Sequence, residues 1–336
     1  MHLLRGSALS GVAGMRMVLL PNPLSDSIPL VRPLLHCNRD EIEDYLSGIP
    51  IKTIIDESNQ DTGFLRNRIR SELVPLLQTY NPQVKERILR MSEVVALEDE
   101  LINAHTRHAW DVTVIETGED YLVFDREKAS SLHLTLRRRL MREALNWIDS
   151  EQRDVDYTVI EKSSHFLTEP CGSKRVELIA GLEMFQHLKD RVVLAKKDTP
   201  LHGLWPQLTQ DDPVALKIPG SNQLNEHWTL SSSYETTFLE TTDPYICQLD
   251  SGSLDKNLTI NRFRAGDRFT PYGVTAQEMK LGDFWTNQGL AVRARRDWPL
   301  IRSGDEIVWV PGFRIAERFK VREGTTNIIR LELRNN

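Results

Sequence analysis

Shortly after residue 37, apolar residues begin to recur with the spacing of an α-helix, separated by polar residues. Asn38, with Glu41 three residues later, has the pattern of a capping box ahead of the apolar Ile42 and Leu46. Gly48 is suited to end the same helix, because glycine readily adopts the left-handed backbone that closes helices. The pattern therefore predicts a helix from Asn38 to about Gly48.

A second apolar stripe with the same spacing follows the polar residues that precede Thr62. Leu65, Ile69 and Leu73 stand four residues apart, so they would share one face of a helix that begins near Thr62. Pro75 has no backbone N–H to donate, and we expect it to kink or end this helix.

The strongest helix start in the chain is Asn81-Pro82, an N-cap residue followed by proline at the first helical position. Apolar residues at helical spacing extend this helix to about Trp110. Further helices are predicted over 126–148 and 155–167, and strands over 112–116, 121–124, 175–179, 183–187 and 191–194. Residues 82–197 are therefore predicted to form a mainly helical domain.

The last third of the chain has a different pattern. Prolines and short β-favouring runs dominate residues 198–256, and residues 257–336 hold further strand-like runs separated by glycines. A short helix is predicted near Leu281–Gln288. The whole chain is thus predicted to be an α+β multidomain protein with a β-rich C-terminal domain.

Composition excludes several protein classes, and the distribution of charge adds a hint of function. The 336 residues are 40% hydrophobic and 27% charged, which excludes a disordered chain and a disulfide scaffold. The net charge of −6 conceals a basic segment, since residues 260–336 hold 14 Lys or Arg against 9 Asp or Glu. This asymmetry indicates either a polyanionic partner for the basic end or a solvated surface.

Cysteine and histidine positions indicate no metal site. Cys37, Cys171 and Cys247 are far apart, and the histidines lack the spacing of metal ligands. The odd number of scattered cysteines fits a reducing compartment, and no apolar run approaches the ~20 residues of a membrane span. We therefore expect a cytoplasmic protein that has no metal site and no membrane association.

Three arginines make one segment a candidate anion site. Arg66, Arg68 and Arg70 adjoin the second apolar stripe, and guanidinium groups match the geometry of phosphate. Carboxylates and an amide precede them at Asp56, Glu57 and Asn59. Such a set could bind an amine and a phosphate side by side. From residue types alone, an ion-paired helix surface after an Asx-rich turn is the more common explanation.

Other basic residues could contact RNA phosphates or simply face solvent. They are Arg262, Arg264, Arg268, Lys280, Arg293, Arg295 and Arg296 in the basic segment, and Arg137, Arg138, Arg139 and Arg142 on a predicted helix. Phosphate contacts position RNA without reading its sequence. Trp285, Trp298 and Trp309 could stack on bases, but packing in the core is their expected role.

Several motifs together resemble the tRNA(Ile)-lysidine synthase family. Near the N-terminus they are Arg32-Pro33-Leu34-Leu35, Asp56-Glu57-Ser58-Asn59-Gln60-Asp61, Arg66-Asn67-Arg68-Ile69-Arg70 and Tyr80-Asn81-Pro82. Near the C-terminus they are Asn261-Arg262-Phe263-Arg264-Ala265-Gly266-Asp267-Arg268-Phe269, Lys280-Leu281-Gly282-Asp283-Phe284 and Trp309-Val310-Pro311-Gly312-Phe313-Arg314. At both ends of the chain the resemblance rests on sequence motifs. In the middle it rests only on the order of the domains.

The resemblance implies a reaction, partners and residue roles. Family members use ATP and magnesium to adenylate C2 of the wobble cytidine in an isoleucine tRNA with a CAU anticodon, and free lysine then displaces AMP. The residues implied by the match are Asp56, Glu57 and Asn59 for the lysine or cytidine pocket, Arg66, Arg68 and Arg70 for ATP phosphates or the tRNA backbone, and Arg262, Arg264, Arg268 and Lys280 for the tRNA acceptor stem.

One part of the family pattern is absent. The family's pyrophosphate loop has a Ser-Gly-Gly-x-Asp-Ser signature, and this run does not occur in the sequence. We therefore expect residues 1–81 to be the C-terminal remnant of an α/β PP-loop catalytic domain, with the catalytic residues unknown. ATP and magnesium are then not expected to bind productively to this chain alone. The other expected domains are a helical substrate-recognition domain over 82–197, a β-rich connecting region over 198–256 and a tRNA-binding domain over 257–336.

Two functions follow from the sequence. The first is a lysidine-forming ligase, incomplete as it stands. The second is a non-catalytic tRNA-binding module, or a subunit that needs a separate PP-loop partner. The sequence leaves open whether the chain forms a homo-oligomer.

Overall fold

The computed structural model describes residues 4, 9–20, 22–50, 61–149, 155–170, 175–254, 257–274 and 277–336. The chain divides into two compact units, unit 1 (Met1–His105) and unit 2 (Thr106–Asn336). In the described part of the chain, none of the helices combines the length and the apolar character needed to cross a membrane.

Unit 1 consists mainly of helices. Its elements are α1 (Leu9–Val12), β1 (Val18–Leu19), β2 (Leu30–Val31), α2 (Arg39–Ser47), α3 (Leu65–Arg68), a π-helix (Ile69–Leu73), α4 (Val74–Tyr80) and α5 (Val84–Thr113), which extends into unit 2. Strands β1 and β2 pair antiparallel. The helix predicted from Asn38 is confirmed as α2, and the backbone N–H of Asn38 donates to Glu41 Oε2 at 2.7 Å.

Side chains of unit 1 are mostly exposed. Among its described residues the buried side chains are those of the polar Asn67 and Asp99, and no apolar side chain is buried. Leu97 and Leu101 of α5 are both exposed. The helical period of apolar residues therefore predicts α5 correctly, but in the described part of unit 1 it does not correspond to a buried face.

Unit 2 begins with a five-stranded antiparallel sheet whose strand order is β3-β4-β7-β6-β5. Its elements are β3 (Val114–Thr117), β4 (Tyr121–Asp125), α6 (Arg126–Ser131), α7 (Leu134–Ile148), α8 (Tyr157–Phe166), β5 (Arg175–Glu177), β6 (Leu182–His187) and β7 (Arg191–Lys196). The prediction of one helix from Arg126 to Ile148 is wrong. Leu132 has an extended backbone that ends α6, and His133 then caps α7 by accepting the N–H of Thr135 on its Nδ1 at 3.3 Å.

This sheet is buried on both faces. Leu122 and Phe124 of β4 pack into a core with α7 and α8, whereas Val123 between them packs into a second core formed with the C-terminal region. Successive side chains of a strand point to opposite faces, so two buried faces require a nearly continuous apolar run. This accounts for the sequence Tyr-Leu-Val-Phe at residues 121–124.

The C-terminal region of unit 2 forms two four-stranded sheets, ordered β11-β17-β10-β9 and β16-β15-β12-β8, and a two-stranded sheet β13-β14. The strands are β8 (Val214–Ala215), β9 (Gly220–Gln223), β10 (Trp228–Glu235), β11 (Ile246–Asp250), β12 (Leu258–Asn261), β13 (Arg268–Phe269), β14 (Met279–Lys280), β15 (Leu300–Ser303), β16 (Glu306–Trp309) and β17 (Ile328–Asn335). The helices are α9 (Leu281–Gln288) and α10 (Val292–Arg295), with 3₁₀ turns at Ser251–Ser253 and Glu317–Phe319. The predicted helix at 281–288 is confirmed as α9.

Tryptophans fill the core beneath these sheets. Trp205, Trp285, Trp298 and Trp309 are all buried there, which confirms core packing as the role of the last three. Trp298 donates its indole N–H to the carbonyl of Pro311 at 3.0 Å. The region that carries the predicted tRNA-binding residues is therefore supported by a large apolar core.

Candidate nucleic-acid interface

The arginine-rich segment of unit 1 lies on a helix that changes type. Helix α3 continues directly into the π-helix and then into α4, whose first turn contains Pro75. An α-helix would need an N–H from residue 75 for the carbonyl of Ser71, and proline has none, so the wider π turn just before it fits the sequence. The helix expected to kink or end at Pro75 instead continues to Tyr80, with a change of helix type just before the proline.

Arg66, Arg68 and Arg70 are all exposed, and none forms an ion pair with any described residue. The guanidinium carbon of Arg66 lies 5.9 Å from the ring centroid of Phe64. Asp61, which could have paired with an arginine, instead accepts the N–H of Gly63 at 2.8 Å. The surface therefore carries three closely spaced positive charges that no carboxylate among the described residues neutralises.

The helix beneath these arginines is anchored from its buried side. Asn67 is buried between Arg66 and Arg68, and its side-chain amide donates to the carbonyl of Asp61 at 2.9 Å. Its position fixes the helix face that the neighbouring arginines present to solvent. The other predicted pocket residues, Asp56, Glu57 and Asn59, lie outside the described residues.

In unit 2, Arg262 is held by acidic groups. Its side chain is only 17% exposed, and it contacts the carboxylates of Asp211 and Asp297, the latter at 3.2 Å. It also donates to the carbonyl of Leu208 at 2.6 Å. Arg262 therefore connects the end of β12 to Leu208, Asp211 and Asp297. The two carboxylates already compensate its charge.

Arg264, Arg268 and Lys280 are more accessible. Arg264 lies 3.5 Å from Asp305, and Arg268 lies 2.8 Å from Glu278. Lys280 is exposed and forms no ion pair with a described residue. Arg268 and Lys280 face each other directly across the β13-β14 pair, so residues that are separated in sequence become neighbouring cations, an arrangement that an anion would stabilise.

Arg293 and Arg295 serve mainly as structural residues. Arg293 contacts Glu183, a buried carboxylate of β6, at 3.0 Å, and also donates to the carbonyl of Lys196 at 3.0 Å. Arg295 donates to the carbonyl of Leu290 at 2.8 Å, and its partial burial lowers its pKa. Arg296, by contrast, is exposed, with Asp297 at 3.9 Å.

The arginine run on α7 is also partly committed to structure. Arg138 makes a two-pronged contact with Glu161 of α8 and stacks over the ring of Tyr157 at 5.6 Å. Arg137 donates to the carbonyl of Ser130 at 3.0 Å. Arg142 is exposed. Two of the four arginines of this run, Arg137 and Arg138, therefore connect helices.

Metal-binding clusters are absent from the part of the chain that the structure describes. No group of three or more His, Cys, Asp or Glu side chains there could hold a metal ion. Cys37 is exposed and Cys247 is buried, and both are free thiols. Burial raises the pKa of the Cys247 thiol well above its usual value, which makes it unreactive.

Comparison with known proteins identifies both ends of the chain. A PP-loop domain family matches residues 1–77, and the TilS substrate C-terminal domain family matches residues 258–333. The tRNA(Ile)-lysidine synthase of Solibacter usitatus is 30% identical over 326 residues, which cover 94% of this chain and 69% of that protein. The chain belongs to the tRNA(Ile)-lysidine synthase family.

A second relative gives the same result. The tRNA(Ile)-lysidine synthase of Caldanaerobacter subterraneus subsp. tengcongensis is 28% identical over 99% of this chain and 68% of its own length. A crystal structure of a TilS C-terminal domain covers 37% of this chain at 21% identity, with a TM-score of 0.35. Family membership confirms the predicted enzyme class, an ATP-using ligase, and the predicted α+β multidomain fold.

The comparisons correct one prediction made from the sequence. The PP-loop family match covers residues 1–77, so the expectation that the chain is a truncated member without the PP-loop signature is not borne out. The missing Ser-Gly-Gly-x-Asp-Ser run misled because the prediction relied on one short motif. The match depends instead on the pattern of the whole segment.

Proposed function

We propose that this chain attaches lysine to C2 of the wobble cytidine of an isoleucine tRNA with a CAU anticodon. The observation that carries the proposal is the presence of two family matches on one chain, a PP-loop domain at 1–77 and a TilS substrate domain at 258–333. The PP-loop match supports the use of ATP, and the match to the TilS substrate domain supports binding of the RNA substrate. Magnesium as the counter-ion of ATP and a cytoplasmic location belong to the same proposal.

The reaction has two displacements. The O2 oxygen of the cytidine attacks the α-phosphorus of ATP, and pyrophosphate leaves. The amine of free lysine then attacks C2, AMP leaves with the oxygen, and the amine loses a proton. Both steps gather negative charge on phosphate groups, so preorganised positive charge close to them would lower the barriers.

Arg66, Arg68 and Arg70 are the proposed source of that charge. They are exposed, neighbouring and uncompensated by carboxylates among the described residues, and guanidinium forks bind phosphate oxygens in pairs. Asp56, Glu57 and Asn59 remain proposed for the lysine or cytidine pocket because carboxylates would attract the lysine ammonium groups.

The proposed tRNA contacts in unit 2 are Arg264, Arg268 and Lys280, with Arg262 in a supporting role. An A-form stem is recognised by shape and phosphate rather than by base edges. The β13-β14 pair places Lys280, which forms no ion pair with a described residue, opposite Arg268, whose charge Glu278 partly compensates at 2.8 Å. Arg262 anchors the loop after β12 in which Arg264 lies.

Incorporation of radiolabelled lysine into tRNA tests this function. The full chain is incubated with ATP, lysine and an isoleucine tRNA transcript that carries a CAU anticodon. We expect label to enter the tRNA only when ATP is present. The matched control is the same transcript with uridine at the wobble position, which should remain unlabelled because the reacting cytidine is gone.

The same assay separates the ligase from a tRNA-binding module. If the chain binds the CAU transcript but incorporates no lysine with ATP and magnesium present, the ligase proposal fails and the binding module stands. Equal labelling of the two transcripts would also contradict the proposed site of reaction.

A further inference from the structure

A cavity of about 460 Å³ opens in the C-terminal region of unit 2. One side is formed by the segment that leads into β11, and the other by residues that follow β16 and β13. The lining includes Phe238, Leu239, Tyr272, Phe313, Arg314 and Lys320. Its volume lies within the range of small-molecule pockets, and none of the predicted tRNA-binding residues lines it.

Aromatic rings form part of its walls, beside the acidic Glu240 and Asp243. Phe238 is 55% exposed and Tyr272 is 48% exposed, whereas Trp309 behind them is buried in the core. Exposed rings on a rigid support are costly in water, because their apolar faces remain hydrated. They are also the surface on which unstacked bases pack.

Two cations contact Tyr272, one at its backbone carbonyl and one at its ring. Arg314 donates from Nη1 to the carbonyl of Tyr272 at 2.7 Å, which uses one of the five N–H donors of its guanidinium. The ammonium of Lys320 lies 5.4 Å from the Tyr272 ring centroid and also contacts Glu317. Arg314 thus brings a positive charge close to Tyr272, whereas the charge of Lys320 is shared with Glu317.

The turn at Gly273 maintains this arrangement. Gly273 has φ +77°, and a Cβ added there would lie 3.3 Å from Nη1 of Arg314. Glycine both adopts the left-handed backbone and leaves room for the guanidinium. The chain therefore places Tyr272 and Arg314 together by a local geometry that most other residues would strain.

A ring beside two cations matches the chemistry of a single-stranded nucleotide, which has an aromatic face and a phosphate. Tyr272, Arg314 and Lys320 also lie within the segment that matches the TilS substrate domain. In a tRNA, unpaired nucleotides are found in the loops and at the 3′ end. Under the proposed function the anticodon loop is engaged in the reaction, and the 3′ end is the unpaired stretch of a tRNA that is not closed into a loop.

We propose that this cavity binds one unstacked nucleotide of the single-stranded 3′ end of the tRNA, with its base on Tyr272 and its phosphate at Arg314 and Lys320. The inference rests on the proposed function, because it takes tRNA as the substrate. It adds a site that holds a single strand, whereas the proposed contacts at Arg264, Arg268 and Lys280 hold a duplex.

Binding of intact and shortened tRNA tests the inference. Fluorescence anisotropy is used to measure the affinity of the full chain for the CAU transcript with its complete 3′ end and for the same transcript without its last four nucleotides. Stacking of a base on an aromatic side chain contributes to affinity, so we expect the shortened transcript to bind about tenfold more weakly. In the variant Tyr272→Leu, which removes the ring but keeps the two cations, this preference for the intact transcript should become clearly smaller.

Two further variants serve as controls. Tyr272→Phe keeps the ring and should keep the tenfold preference, which shows that the loss in Tyr272→Leu is not a folding defect. Arg318→Gln removes a charge four residues from Arg314 that is paired with Glu306 outside the cavity lining, and it should also keep the preference.

The outcomes distinguish this inference from the proposed function. A chain that incorporates lysine but binds intact and shortened tRNA equally overturns the cavity assignment alone. So does an undiminished preference in Tyr272→Leu, which would place the 3′ end elsewhere. A chain that binds neither transcript overturns both proposals.

Discussion

The arginines predicted to meet phosphate have different surroundings in the two units. In unit 1, Arg66, Arg68 and Arg70 are exposed and have no carboxylate partner among the described residues. In unit 2, Arg262 is largely buried between two carboxylates and a carbonyl. Arginines in two basic segments thus have different roles. Those in unit 1 present their charge to solvent, whereas Arg262 uses its charge in ion pairs within the protein.

The difference shows what decides the role of an arginine. An exposed guanidinium without a partner adds little to stability, but its field remains available to an anion. A buried guanidinium must be paired, and where its carboxylate partner is also buried, removing the arginine leaves that carboxylate without its counter-charge. Stability measurements and RNA-binding measurements should therefore separate the two groups.

The largest loss of stability is expected from Arg302→Met. Arg302 is 2% exposed, binds the carboxylate of Asp267 and donates to the carbonyl of Asp305 at 3.0 Å. Methionine would fill the space but leave the Asp267 carboxylate unpaired, so we expect the free energy of unfolding to fall by ~3–5 kcal/mol. Urea denaturation measures this change, and a loss below about 1 kcal/mol would contradict the buried-pair argument.

Acid pH should weaken unit 2 through His187. This side chain is 3% exposed and stacks on Trp205 with ring centroids 4.8 Å apart. Burial, and secondarily the charge of Arg191, lowers the pKa of His187 to about 3. Below about pH 6.5 the unfolded chain binds a proton that the folded chain cannot accept, so the free energy of unfolding falls as the pH decreases.

The expected size of this effect is about 2 kcal/mol between pH 7 and pH 5, since each pH unit below 6.5 costs about 1.4 kcal/mol until the folded pKa is reached. Urea denaturation of the wild type and of His187→Phe at both pH values measures it. The variant should lose less stability than the wild type over that interval. Equal losses of stability in the wild type and the variant would show that burial does not keep His187 unprotonated in the folded chain.

Arg262→Gln should cause a smaller loss of stability. It removes the ion pairs to Asp211 and Asp297, but these acids are partly exposed and can be hydrated. We expect the free energy of unfolding to fall by ~1–3 kcal/mol, with little change in the salt dependence of tRNA binding. The reverse result, unchanged stability and a reduced salt dependence, would place Arg262 with the RNA contacts.

The sequence predicted elements well where the signal was local. Two local signals predicted helices that the structure contains. The capping pair of Asn38 and Glu41 precedes α2, and Asn81-Pro82 precedes α5. The break between α6 and α7 was missed because Leu132 and His133 continue an apolar and polar pattern that a helix also permits. Helix α10 was missed because four residues are too few to show a period.

Partners distant in the chain could not be predicted in this way. Arg262 meets Asp211 across 51 residues, and Arg293 meets Glu183 across 110 residues. No spacing rule connects such pairs, because the fold of the intervening strands brings them together. The sequence therefore shows a basic segment but cannot tell which of its charges are already neutralised.

The smallest effect on stability and the clearest effect on binding should come from replacing Arg66, Arg68 and Arg70 with glutamine. All three are exposed and lack ion-pair partners among the described residues, so the free energy of unfolding should stay within about 0.5 kcal/mol of the wild type. Each phosphate contact that is lost should reduce the slope of log affinity against log salt by ~0.7–0.9.

The matched control for this triple variant is Arg39→Gln, which removes an exposed charge of unit 1 that Glu43 already compensates at 2.5 Å. Because its field is neutralised locally, the salt slope for tRNA should not change. If the triple variant instead unfolds like the wild type and keeps both its salt slope and its lysine incorporation, the exposed arginines contact neither tRNA nor ATP. The distinction between available and compensated charge would then fail as a guide to function.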